Sequence, residues 1–263
     1  MSLELPDGIF KLEGLPFIKE LLKVEKERFD SAFLKESVFE QINIDFGIFP
    51  SEKVYPVYFS GDVTNPYGKK IFIGINPGYK PENNRKETDF LEKEGIFEGY
   101  CRIFDRYFKE NHNNLTRYFL NIRSFLNRLD PDNIQETIDW DWLQENCIFL
   151  NFIPYHSKNT GGLRINDLEK FRRRYFKILL KILNYIRPEK PVFINGFPTV
   201  KSYLNGLIKS QQKDGFWVGK VDSEENKFDF IGTPFLNRVR GGMDALTVAI
   251  RQYLQSNFQE EKT

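Results

Sequence analysis

Lys70-Ile71-Phe72-Ile73-Gly74-Ile75-Asn76-Pro77-Gly78-Tyr79-Lys80-Pro81 is the stretch on which the fold turns. Ile71-Phe72-Ile73 is β-branched and aromatic, bounded by Lys69-Lys70 and Gly74, and this pattern predicts a short, fully buried strand. Gly74, Pro77 and Gly78 break the chain where the strand ends and free backbone N–H groups to face a ligand. Asn76 is thereby placed at the carboxyl end of a core strand, where open α/β sheets form their binding crevices. Its amide offers both a donor and an acceptor, enough to fix a water or a base edge. The same residues also suit a plain strand-to-helix turn, in which Asn and Gly serve only for unusual backbone angles.

Outward from this stretch, strands alternate with helices. Helical periodicity spans 15–35, 85–94, 96–108, 115–129, 165–187, 199–207 and 244–258. Buried strands are predicted over 146–153, 192–195 and 228–232, with an edge strand over 54–59 and a short strand over 216–218. Such alternation predicts an α/β fold, with a mostly parallel sheet of four core strands and helices on both faces. No Pro/Gly/Ser-rich linker divides the 263 residues. The organisation expected is an N-terminal helical extension over 1–53 on a single globular unit over 54–263.

A 40% hydrophobic fraction with 26 Phe is ample for a sizeable core. With 38 Lys and Arg against 37 Asp and Glu, no global polyanion footprint exists, and any nucleic-acid surface must be a local basic patch. Cys101 and Cys147 fit no metal spacing and are too few for an iron–sulfur cluster; Cys147, in an apolar strand, reads as a buried thiol. No metal or other cofactor is expected. Without a membrane-length apolar stretch or a signal-peptide layout, the expectation is a soluble, cytoplasmic monomer with no membrane partner.

Three of the core strands run into polar loops. Beside the Asn76 loop, the strand Phe149-Leu150-Asn151 gives way to Phe152-Ile153-Pro154-Tyr155-His156. An amide set among such apolar neighbours must find partners, since an unpaired one costs about 1–3 kcal/mol, and backbone groups alone would serve. The third loop, Gly232-Thr233-Pro234-Phe235-Leu236-Asn237-Arg238-Val239-Arg240-Gly241-Gly242, joins glycines, two arginines and an apolar Leu236 before a helix. Arginines and free N–H groups near a helix start favour phosphate, and an apolar side chain between them suits insertion into a base stack. An ordinary basic surface loop would share that composition. The run Arg172-Arg173-Arg174 is a further source of phosphate contacts.

In this order, the motifs resemble the uracil-DNA glycosylase superfamily over residues 54–258. Gly74-Ile75-Asn76-Pro77-Gly78 is similar to the first motif of its mismatch-specific and single-strand-selective branches. The strand ending in Asn151 looks like the pyrimidine-reading strand, the Gly196 turn fits the layout, and Thr233-Pro234 stands where the DNA-inserting second motif does. The resemblance implies a three-layer α/β/α sandwich, and an enzyme of base-excision repair that hydrolyses the N-glycosidic bond of uracil or a modified pyrimidine flipped out of single- or double-stranded DNA.

The implied site has Asn76 and Thr233 as catalytic residues. Gly74, Ile75, Gly78 and Asn151 meet the base, and one of Tyr79, Phe90 and Tyr100 stacks on it. Pro234, Leu236, Asn237, Arg238 and Arg240 contact DNA, with Leu236 or Asn237 as the wedge. An amide has no useful basicity, so Asn76 would position a water for a sugar cation already formed. Two departures from the family pattern matter. Gly78 replaces the Tyr that crowds the base's 5-position in the strictest branch, which opens the pocket to larger pyrimidines. Thr233 replaces a His found in many members, and a neutral hydroxyl is a weaker partner for a developing anion; His156 is the nearest substitute in sequence. The alternatives are a catalytically inactive protein of this fold that binds nucleic acid or a modified base, and a nucleotide- or nucleoside-processing α/β enzyme.

Overall fold

The computed structural model describes residues 5–30, 55–75, 81–112, 115–130, 138–156, 165–188, 190–204, 206–222, 227–236, 239 and 242–258. Among these, seven strands form one sheet: β1 (Phe59–Ser60), β2 (Lys70–Gly74), β3 (Cys147–Asn151), β4 (Val192–Asn195), β5 (Lys209–Gln212), β6 (Trp217–Asp222) and β7 (Lys227–Thr233). Their spatial order is β1-β3-β2-β4-β7-β6-β5. β2 pairs in parallel with β3 and β4, and β4 in parallel with β7. β1, β6 and β5 pair antiparallel.

The sheet is therefore mixed and seven-stranded, where the sequence predicts four core strands in a mostly parallel sheet. The added strands lie at its margins. β5 is the polar, exposed Lys209-Ser210-Gln211-Gln212, which lacks the apolar signal of a core strand. The edge strand predicted over 54–59 shrinks to two paired residues, Phe59 and Ser60.

Chain order reverses between β2 and β4. β3, the next strand after β2, lies on one side of it; β4 and β7 follow on the other. Open α/β sheets form ligand crevices outside the carboxyl ends of their strands at such a reversal. Here those ends are Gly74 of β2 and Asn195 of β4.

Among the described residues, the α-helices longer than three residues are α1 (Gly14–Asp30), α2 (Pro81–Glu94), α3 (Ile96–Cys101), α4 (Arg117–Leu129), α5 (Trp140–Asn146), α6 (Lys177–Ile186), α7 (Phe197–Lys201) and α8 (Met243–Asn257). α6 stops at Arg187, which takes a left-handed conformation (φ 50) before Pro188. The proline ring disfavours the right-handed helical region for the residue before it. The regular helices expected over 96–108 and 165–187 each contain a six-residue π segment, Ile103–Phe108 and Phe171–Phe176. In the second, Arg174, Tyr175 and Phe176 are all buried, an arrangement the wider π turn accommodates better than a regular α-helix.

Arg174 shows how α1 is held against the rest of the core. Its guanidinium donates to Glu25 Oε1 at 3.1 Å, and the same oxygen accepts from Arg28 at 2.9 Å and from the Tyr58 hydroxyl at 3.2 Å. Glu25 is 1% exposed. Beside this cluster α1 buries Phe17, Ile18, Leu21, Leu22 and Phe29, the last stacked on Tyr155 at 6.2 Å.

Candidate functional site

Side chains alternate across a strand, so every second residue shares a face. Phe72 stacks on Phe149 and on Phe193, both at 5.3 Å, which fixes the three aromatics on one face of β2, β3 and β4. Two residues on, at the carboxyl ends, that face carries Gly74, Asn151 and Asn195. Gly74 is in register with Asn151, and Asn195 with Thr233. A row of polar or minimal residues, Asn151-Gly74-Asn195-Thr233, thus borders an aromatic row along the sheet edge.

α4 covers the aromatic row. Phe119 meets Phe149 edge-on at 5.2 Å and Phe125 meets Phe193 at 5.4 Å. At its first turn Tyr118 packs on Phe149 at 6.2 Å and carries its hydroxyl to the polar row, beside the Asn195 side chain. Tyr118 is partly exposed. Burial of that hydroxyl pushes its pKa up to about 12, so it stays protonated through the neutral range.

Gly74 is the notch in the row. A Cβ there would lie 3.1 Å from Asn151 Oδ1 and 3.9 Å from the Tyr118 hydroxyl. The Asn151 side chain donates through Nδ2 to Val57 O at 2.9 Å, which turns Oδ1 toward Gly74. Past Asn151, Phe152 N–H donates to Gly74 O and Ile153 N–H to Ile75 O, locking the loop onto the end of β2. Asn195 Oδ1 accepts from Leu236 N–H at 3.0 Å and so ties the loop after β7 to β4. Gly196 turns the chain out of β4 with φ 81, and Phe235 packs where its Cβ would stand, 2.5 Å away.

The structure brings Gly74, Ile75, Asn151 and Thr233 to one edge. Asn76, Gly78, Tyr79, Asn237, Arg238 and Arg240 lie outside the described residues. Thr233 is 1% exposed and its hydroxyl donates to Ile194 O at 3.5 Å, toward the sheet backbone. Pro234 is half-buried. Leu236, expected as an exposed wedge, is buried among core residues and would have to leave that packing to touch a base stack.

Two of the three stacking candidates lie within the described residues. Tyr100 is fully buried, edge-on to Phe59 at 5.9 Å, with its hydroxyl turned to Tyr55 O; it has no open face for a base. Phe90 is half-buried against Tyr107 at 5.6 Å. His156 is buried in the loop beyond β3. Of the arginine run, Arg174 is consumed by Glu25 and Arg172 reaches Tyr203 O, which leaves Arg173, paired with Glu169 on the surface, as the exposed member. Cys101 and Cys147 are buried free thiols, both pushed up to about 12 by burial, and so are poor nucleophiles at neutral pH.

Asn195 and Tyr118 are not among the residues expected from sequence. Asn195 has a signal: Phe193-Ile194-Asn195-Gly196 repeats the apolar-run-then-amide pattern of Leu150-Asn151. Tyr118 has none, because its reach depends on how α4 is rotated over the sheet. In comparisons with known proteins, no family model matches the chain and no curated protein matches its sequence. Among the described residues, no helix is long and apolar enough to cross a membrane.

Proposed function

We propose that the protein is a DNA glycosylase that hydrolyses the N-glycosidic bond of uracil or a modified pyrimidine flipped out of DNA. The observation that carries this reading is the row Asn151-Gly74-Asn195-Thr233 at the point where strand order reverses. It sets the bare backbone of Gly74 beside an acceptor oxygen, directly before the Asn76 loop. The reading also takes β3-β2-β4-β7 as the centre of a three-layer α/β/α sandwich of glycosylase type. In this scheme Asn151 reads the base, Asn76 positions the attacking water, and the residues around Arg238 and Arg240 hold phosphate.

One observation favours a second reading, a protein of this fold that binds a base or nucleic acid without cleavage. Thr233 stands where a catalytic His is common, and its hydroxyl is spent on Ile194 O. Base release by wild type and by Asn76→Ala separates the two. An enzyme loses about 10²-fold or more in single-turnover rate in the variant, with DNA affinity nearly unchanged, because water positioning acts in the transition state while affinity comes from phosphate contacts. Binding without release by the wild type establishes the second reading.

A further inference from the structure

We propose that Tyr118 is a ligand-contacting, specificity-determining residue of this site and that Asn195 positions it. The ligand class rests on the glycosylase reading; the geometry does not. Asn151 Oδ1 and the Tyr118 hydroxyl approach Gly74 together, 3.1 and 3.9 Å from where a Cβ would be. Asn151 comes from β3, and Tyr118 comes from α4 above the sheet. A Cβ at Gly74 would crowd the first and touch the second.

The hydrogen bonds around the pair set its polarity. Asn195 Oδ1 accepts from Leu236 N–H, and on this assignment the Asn195 amide nitrogen faces the Tyr118 oxygen as its donor. The Tyr118 proton is then free to point outward as a donor. Asn151 Oδ1 is an acceptor, since Nδ2 is fixed on Val57 O. An acceptor and a donor together match an N–H beside a C=O, the imide edge of a uracil-like pyrimidine. Cytosine held in the same register offers a bare ring nitrogen and an amine there, and mismatches both. A site built to hydrogen-bond a group rejects analogues that leave its own groups unpaired.

The test uses the full-length protein and three variants, Tyr118→Phe, Asn195→Asp and the double substitution, on oligonucleotides carrying a single uracil. Asn195→Asp keeps the acceptor for Leu236 N–H but removes the donor to Tyr118, and its carboxylate draws the phenol proton inward. The expected result is a roughly tenfold slower release for each single variant, with the double variant no slower than either, because all three lose one shared interaction. Affinity for undamaged DNA and the unfolding midpoint of Tyr118→Phe stay at wild-type values; a packing role would move the midpoint instead. Release by Tyr118→Phe at the wild-type rate overturns the proposal and leaves the glycosylase reading standing. If the wild type releases no base, calorimetry with free uracil and free cytosine decides. Uracil bound in preference to cytosine, and about tenfold more weakly by Tyr118→Phe, supports the proposal. Equal binding of uracil by the two proteins, or none by the wild type, overturns it.

Discussion

At the residue scale, Gly74 keeps clear a position that a side chain would contest. Its backbone angles need no glycine, but a Cβ would stand 3.1 Å from Asn151 Oδ1, which would have to give by a few tenths of an ångström. Gly74→Ala is expected to push the Asn151 amide aside and slow base release by about tenfold, given that a 1 Å misplacement costs on the order of 10²-fold. The melting temperature should change little; a variant as fast as wild type would show that Asn151 is not where the base is read. A second residue-scale expectation concerns Glu87 on α2. The residue is half-buried, and desolvation pushes its pKa up to about 7 from an ordinary value of 4.5. The unfolded chain releases this proton at lower pH than the folded one. Between about pH 4.5 and 7 the folded state therefore binds more protons, and Glu87 makes stability fall as pH rises through that window. Denaturant titrations across it should show a shallower fall for Glu87→Gln; identical slopes would place the carboxyl in water.

At the scale of elements, two interactions decide how parts of the chain are held. Glu25 of α1 is the shared acceptor of Arg174, Arg28 and Tyr58, so Glu25→Ala removes the buried carboxylate that all three share. Breaking such a pair costs about 3–5 kcal/mol, and urea unfolding should register it. The loop after β7 is held by Asn195 and by the burial of Leu236. Leu236→Ala should destabilise by about 2–4 kcal/mol and slow release equally on single- and double-stranded DNA. A wedge would act differently, slowing duplex turnover far more, since only duplex has stacking to break. The strands that build the site are legible in the sequence because each is a compact apolar run: β4 is predicted at its observed bounds, β2 and β7 within a residue or two. The Asn151 strand is legible for the same reason. What escapes is anything set by packing between elements. Lys209-Ser210-Gln211-Gln212 pairs on β6 without an apolar residue to announce it, Arg174 reads as surface charge until Glu25 meets it, and Tyr118 joins the site only through the rotation of α4.

For the whole molecule, near-neutral charge means that binding to DNA, on the proposed function, must depend on a few placed arginines. Replacing Arg238 and Arg240 with Ala should flatten the salt dependence of DNA affinity by about one slope unit for each phosphate no longer held, with no change in sequence preference. An unchanged slope would move the phosphate-binding surface elsewhere. The central claim is that the polar row at the sheet edge is a base-excision site, and one measurement addresses it most directly. The wild-type protein is incubated with single- and double-stranded oligonucleotides containing one uracil, then treated with alkali to cleave any abasic site, while the released base is identified by mass. A base-excision site predicts strand cleavage at the uracil position with stoichiometric free uracil, and none on the matched cytosine oligonucleotide. Intact strands and no free base from uracil or 5-substituted pyrimidines, at enzyme excess and low salt, would contradict it.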